Sequence, residues 1–169
     1  PRAIRDVYKR QEKVQYFLGS VSEYLHRALK GSEDVRIAKL GEIECALAGS
    51  PCPGFSAMQQ NKQSWQSLRN ASMVASVVSF VDFYSPQYFI LENVVPMTNN
   101  LIVDDRKQNV FSQILAALVA LGYQVQQFLE DAWSQGSSQQ RSRVFIVASA
   151  PGIEPVHPSY STHGHPCLL

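Results

Sequence analysis

Cys52 stands within Gly49-Ser50-Pro51-Cys52-Pro53-Gly54-Phe55-Ser56, where paired prolines and glycines impose bends and exclude both helix and sheet. A thiol held in so rigid a loop can be aimed at an electrophilic carbon, and neighbours that stabilise its thiolate raise its nucleophilicity. The plainer reading of a lone cysteine is a small buried hydrophobe, and Cys45, inside an apolar run, takes that reading. Loop placement turns Cys52 toward chemistry.

Glu92 follows the apolar run Tyr88-Phe89-Ile90-Leu91 and precedes Asn93. A carboxyl partly withdrawn from water holds its proton more tightly and can then donate a hydrogen bond. The competing role is a capping or salt-bridge carboxylate. A third cluster, Gln139-Gln140-Arg141-Ser142-Arg143, comes directly before another apolar run. Guanidinium is planar, permanently charged and bidentate, so these arginines could meet a phosphate, a base oxygen or Glu92. A solvated turn is the commoner origin of such a pair.

Groups this far apart in sequence need elements to bring them together. Phe17, Leu18, Val21, Tyr24, Leu25 and Ala28 recur at helical intervals, predicting a helix from Val14 that tolerates Gly19 and stops at Gly31. Ile43 to Ala48 reads as a buried strand that delivers Cys52 into its loop. A second helix is expected from Ser67 to Tyr84, with Ala71, Val74, Val77, Val78, Val81 and Tyr84 on one face and Pro86 ending it. Tyr88 to Leu91 is the next strand. A third helix is expected from Arg106 to Leu121, turning Val110, Phe111, Ile114, Leu115 and Leu118 inward, with Gly122 as its C-terminal stop. Tyr123 to Leu129 and Val144 to Ala148 supply two more strands. This alternation predicts an α/β fold with a mostly parallel sheet and a final antiparallel pair. Working residues of such sheets gather at the carboxyl edge, where Cys52 and Glu92 both follow strand ends.

With 169 residues the chain suits one domain, and 45% hydrophobic against 17% charged residues excludes a disordered polymer. A formal charge of +1 means that any nucleic-acid contact depends on local placement of Lys and Arg. No apolar run approaches the about 20 residues of a membrane-spanning helix, and no signal segment opens the chain. The three cysteines, Cys45, Cys52 and Cys167, are irregularly spaced and fit a reducing compartment. Pro1 in place of Met, and a loop-like end at Leu169, read as an internal piece of a longer protein. Residues 1–13 read as a charged lead-in, 14–150 as the folded part and 151–169 as a loop. His157, His163, His165 and Cys167 could be drawn as metal ligands, but their spacing is not that of zinc pairs, and no metal is expected.

Taken together and in order, Pro51-Cys52-Pro53-Gly54-Phe55-Ser56, Leu91-Glu92-Asn93-Val94 and Gln139-x-Arg141-x-Arg143-Val144-Phe145-Ile146 resemble the DNA cytosine-5 methyltransferase family. Residues 48–56 and Asp131-Ala132-Trp133-Ser134 look most like its fungal, chromatin-directed branch. Pro53 replaces the family's usual Gln, and Ser138 stands where Pro commonly precedes Gln139. The resemblance implies a partial Rossmann-like, class I S-adenosylmethionine-dependent methyltransferase fold, DNA as substrate, a nuclear location and chromatin partners. It implies that Cys52 adds to C6 of a flipped cytosine, that protonated Glu92 meets N3, that Arg141 grips O2 and that Arg143 braces the loop. Pro51, Ser56, Asn93 and Gln139 would line the substrate. The family's opening Phe-x-Gly-x-Gly cofactor motif is absent, Phe17-Leu18-Gly19 being a superficial echo, so Ile43 to Ala48 should form a bare sheet edge. The alternatives are a tRNA-directed relative, which typically carries Pro-Phe-Thr after its Pro-Cys-Gln, and a catalytically silent methyltransferase-like module serving as a scaffold.

Overall fold

The computed structural model describes residues 15–49, 76–103, 106–157 and 161–163. The lead-in 1–13, the loop residues Pro51, Cys52 and Ser56, and His165 and Cys167 lie outside the described residues.

Helix α1 spans Val21–Leu29 and starts later than the apolar spacing predicts. Ser20 caps it: the Ser20 Oγ accepts the Glu23 N–H at 3.1 Å, satisfying a donor that the first helical turn leaves open. Phe17 to Gly19 therefore precede the helix. The Phe17 ring meets Tyr24 edge-on at 5.2 Å and fills the space over Gly19, where a Cβ would lie 2.6 Å from Phe17 Cε1. Tyr24 ties α1 to the rest, its hydroxyl accepting the Ala38 N–H at 2.8 Å, while the Tyr84 hydroxyl donates to the Ala38 carbonyl at 2.9 Å.

Strand β1 is Cys45–Gly49. Helix α2 is described over 76–84 and stops before Pro86, as the imide requires. Strand β2, Tyr88–Val94, runs into a short 3-10 turn, η1, Val95–Thr98. A small hairpin follows, β3 Leu101–Val103 with β4 Arg106–Gln108. Helix α3 therefore begins at Val110 rather than at Arg106 and ends at Ala120. Asn109 fixes that start, its Oδ1 accepting the Ser112 N–H at 2.8 Å. At the far end Gly122 takes φ 87° and donates to the Val119 carbonyl at 2.9 Å, the left-handed stop its position predicts. Strand β5 is Gln124–Asp131, a second 3-10 turn η2 is Ala132–Gln135, and β6 is Ser142–Ser149.

The sheet order is β1-β2-β6-β5. β1 pairs with β2 in parallel, and β6 runs against both β2 and β5. The α/β class and the final antiparallel pair, β5 with β6, are as expected, but the sheet is mixed rather than mostly parallel in its pairing, because the reversed β6 is inserted between β2 and β5 and pairs antiparallel with both. The alternation of β2 turns Phe89 and Leu91 to one face, where they join Val144, Ile146 and Ala148 of β6. Val77 and Val81 of α2 and Phe111, Ile114 and Leu118 of α3 cover this face, with Met97 and Tyr123 closing the core. Each such large side chain stabilises the fold by about 1.5–3 kcal/mol through burial. Among the described residues β1 pairs only with β2; Leu47 on it is 76% exposed and Cys45 is exposed as well, so β1 is not the buried strand, nor Cys45 the buried hydrophobe, that the apolar run suggests.

Candidate active site

The register places several chain ends at one edge of the sheet. Gly49, the last residue of β1, is level with Glu92 near the end of β2, and Val94 is level with Arg143. Because β6 runs backwards, its beginning lies where the parallel strands finish. Asp131, the last residue of β5, faces Ser142 at the same edge.

Glu92 projects from the face of β2 opposite the buried Phe89, Leu91 and Asn93. Arg143 lies on that same face of β6, and its Nε donates to Glu92 Oε1 at 2.8 Å. Its Nη1 donates to the Ser142 carbonyl at 2.8 Å, so the guanidinium is held at two points. The other carboxylate oxygen, Oε2, lies 4.0 Å from where a Cβ on Gly49 would stand. Gly49, the last described residue before Pro51 and Cys52 in the sequence, thus lies beside the Glu92 carboxylate.

Arg141 is exposed, and its side chain makes no ion pair or hydrogen bond among the described residues. Its backbone is held, because the Ala132 N–H donates to the Arg141 carbonyl at 3.2 Å. Gln139 is also exposed, with its N–H on Ser137 Oγ at 3.2 Å. Asn93 points the other way from Glu92, is only 2% exposed, and its Oδ1 accepts the Val94 N–H at 2.8 Å. Among the described residues its Nδ2 has no hydrogen-bond partner. The structure thus brings together Glu92 and Arg143, leaves the Arg141 side chain exposed and without a polar partner among the described residues, and turns Asn93 toward the helices.

Asp131 was not among the expected site residues. Its carboxylate accepts the Trp133 N–H at 2.9 Å and the hydroxyl of Ser142, closing the β5–β6 pair at the edge. The Ser142 hydroxyl, then the Trp133 N–H, hold its carboxyl below the usual range. The run Asp131-x-x-Ser134 is a cap-and-turn signature that could have located this joint from sequence. Among the described residues no cluster of three or more His, Cys, Asp or Glu could hold a metal ion, and no helix is long and apolar enough to cross a membrane.

Comparison with known families agrees with this arrangement: the C-5 cytosine-specific DNA methylase profile matches residues 20–164. The chain belongs to that family. Within this cytosine-specific methylase family, the chain is 39% identical over 147 residues to "DNA (cytosine-5)-methyltransferase 1A" of Oryza sativa subsp. japonica, covering 82% of this chain. It is 36% identical over 129 residues to "DNA (cytosine-5)-methyltransferase 1" of Mus musculus, covering 72% of this chain. The chain spans 9% of the rice protein and 8% of the mouse protein. Among solved structures, the methyltransferase EhMeth of Entamoeba histolytica matches with a TM-score of 0.54 at 11% identity, over 90% of this chain and 49% of that one. That likeness shows the methyltransferase fold.

Proposed function

We propose that the protein is a DNA cytosine-5 methyltransferase and that residues 14–150 form the central part of its catalytic domain, with 1–13 as lead-in and 151–169 as a loop toward the rest. The observation that carries the reading is the Arg143–Glu92 contact of 2.8 Å at the edge where Gly49 leads into Pro51 and Cys52. Membership in the family and the small share of its relatives that this chain spans support it.

In this reading the target cytosine is flipped out of the duplex, since stacked bases hide the reacting carbons. The Cys52 thiolate adds to C6, forming a carbon–sulfur bond while electron density moves toward C5 and N3. Glu92 lies against N3 and the exocyclic amine, where a donor meets the developing charge. Arg143 fixes the carboxyl of Glu92 in place, and Arg141 reaches O2 with its unengaged guanidinium. Pro51, Ser56 and Gln139 frame the base and its loop, whereas Asn93, expected beside them, is buried on the face of β2 opposite Glu92 and does not reach the base. Once C5 carries the methyl group, a base takes the C5 proton, the freed electron pair re-forms the C5–C6 double bond, and the carbon–sulfur bond breaks to release the Cys52 thiolate.

S-adenosylmethionine, the methyl source that the family and fold imply in general, does not fit the described residues by themselves. Gly19 lies ahead of α1 with the Phe17 ring over it, and Gly49 faces Glu92, so neither forms a glycine-rich turn between strand and helix. The reading therefore assigns to this chain the treatment of the base. Residues 48–56 and 131–134 support placement in the chromatin-directed, fungal branch, with a nuclear location and chromatin partners.

DNA containing 5-fluorocytosine tests the proposal, because fluorine at C5 cannot leave as a proton and the adduct persists. The full-length protein should stay covalently attached, and Cys52→Ala should abolish attachment and methyl transfer. Equal residual methylation by the Cys52→Ala protein would instead favour a silent scaffold module.

A further inference from the structure

The chain beyond β6 returns to the edge where the arginines stand. The Ser134 carbonyl in η2 accepts the N–H groups of Thr162 and His163, each at 3.0 Å, and the Thr162 hydroxyl at 3.5 Å. Thr162 Oγ1 and His163 Nδ1 lie 2.9 Å apart. The imidazole rests on Gly136, where a Cβ would fall 2.9 Å from His163 Cε1 and 3.1 Å from its Nδ1. Gly136 also has φ 86°, so any side chain there is strained by the backbone as well as by the ring.

The neighbouring loop is tied down at its other end. Ser137 N–H donates to the Ala132 carbonyl at 3.0 Å, Ala132 N–H donates to the Arg141 carbonyl at 3.2 Å, and the Ser142 hydroxyl donates to Asp131. Residues 137–140 are therefore a closed loop standing on η2, with Arg141 at its exit. None of this is core packing: η2 has no buried residue, and Thr162 and His163 are both exposed. A polar clasp that joins residues 28 apart at the surface contributes little to burial, yet it fixes the platform from which Arg141 projects.

We infer that Thr162, His163 and Gly136 are positioning residues that set the approach of Arg141 to the flipped base. This rests on the reaction proposed above and adds to it a role for the segment after β6. Arg141 acts on the base; the clasp acts through Arg141 alone.

The test measures the rate of covalent trapping on 5-fluorocytosine DNA by the full-length protein, in the presence of its methyl donor. Gly136→Ala should slow trapping by about a hundredfold, the size of loss that small misplacements of a reacting group produce. Gly152→Ala is the control, since Gly152 has φ 78° with nothing within 4 Å of an added Cβ, and it should trap near the wild-type rate. In an Arg141→Ala background Gly136→Ala should cost less than about twofold more, because residues acting through one group are not additive. Thr162→Val should show the same pattern more weakly and serves if Gly136→Ala does not fold. Folded Gly136→Ala or Thr162→Val proteins that trap at the wild-type rate, or that lose as much again without Arg141, would overturn the inference. A wild-type protein that forms no adduct would overturn the reaction itself, and this inference with it.

Discussion

Glu92 and Arg143 are joined across a diagonal of the sheet: Glu92 lies level with Phe145 and Arg143 with Val94, yet the side chains meet at 2.8 Å. Diagonal neighbours on one face stand about 7–8 Å apart at their backbones, a gap that a long arginine spans and a short side chain does not. The carboxylate is thereby turned along the sheet toward the edge rather than straight across it.

Removing either partner should affect reaction more than stability. Both side chains are partly exposed, 37% for Glu92 and 22% for Arg143, so the pair stabilises the fold by about 0–1 kcal/mol. Glu92→Gln should slow trapping on 5-fluorocytosine DNA by about a hundredfold or more, the usual share of a group that manages a proton. Arg143→Lys should slow it by about tenfold, since an ammonium is a point charge without the planar fork. Thermal melting curves run beside the trapping assay check that both proteins stay folded.

Acid should reveal the turn before β1. The Arg36 side chain and N–H hold the Asp34 carboxyl at about 2, down from 3.8. A lowered carboxylate stabilises the folded state above its unfolded value, and that contribution is lost as pH falls through the folded value. The wild-type melting midpoint should therefore drop between pH 3.8 and about 2, over and above other acid effects. Arg36→Ala should melt lower than wild type above pH 3.8 and converge with it toward pH 2.

Leu118 of α3 is fully buried against the sheet. Leu118→Ala should destabilise by about 2–5 kcal/mol, combining lost transfer energy with the cavity left behind. Urea unfolding of the two proteins measures it, and a loss below 1 kcal/mol would mean that the helix collapses into the gap (about 2 kcal/mol is the lower bound for rigid cores).

Leu47 should report on the open edge of β1. Exposed apolar edges template association with other chains, and charges on them suppress it. Leu47→Lys should lower concentration-dependent light scattering by this chain while shifting stability by no more than about 0.5 kcal/mol. Amide exchange should be fast for those β1 N–H groups that point away from β2.

Much of this was legible in the residues. Pro86 and Gly122 end their helices where imide sterics and a left-handed stop require, and the apolar runs at Tyr88 and Val144 became adjacent central strands. Pairing of Glu92 with one of the arginines was among the contacts their chemistry allowed, and Arg143 is the one that makes it. Local preference misled at three places, one of them the apolar run of β1, whose Cys45 and Leu47 are exposed. Arg106, Lys107 and Gln108 are good helix formers, but pairing with Leu101 to Val103 draws them into a hairpin, and Asn109 caps the helix that follows. Apolar spacing before Ser20 extended the first helix too far, although Ser20-x-x-Glu23 is itself a start signal. The order of strands depends on contacts between distant segments that no local pattern encodes, whereas the orientation of Asn93 away from Glu92 follows from the alternation of neighbours along one strand and could have been read from the sequence. The clasp on Ser134 is likewise a contact between distant segments, while Asp131-x-x-Ser134 marked the turn at Asp131 without naming Ser142 as its partner.

The backward course of β6 sets different tolerances for insertions and deletions along this stretch. An added residue between Gly136 and Arg141 can bulge into solvent, whereas one added between Arg143 and Ala148 would exchange inner for outer faces along the remainder of the strand. Val144 and Ile146 could then keep their places in the core only if Arg143 gave up its own. Length variation among relatives should accordingly collect in the loop and spare the strand, because the same alternation that seals the interior aims the guanidinium.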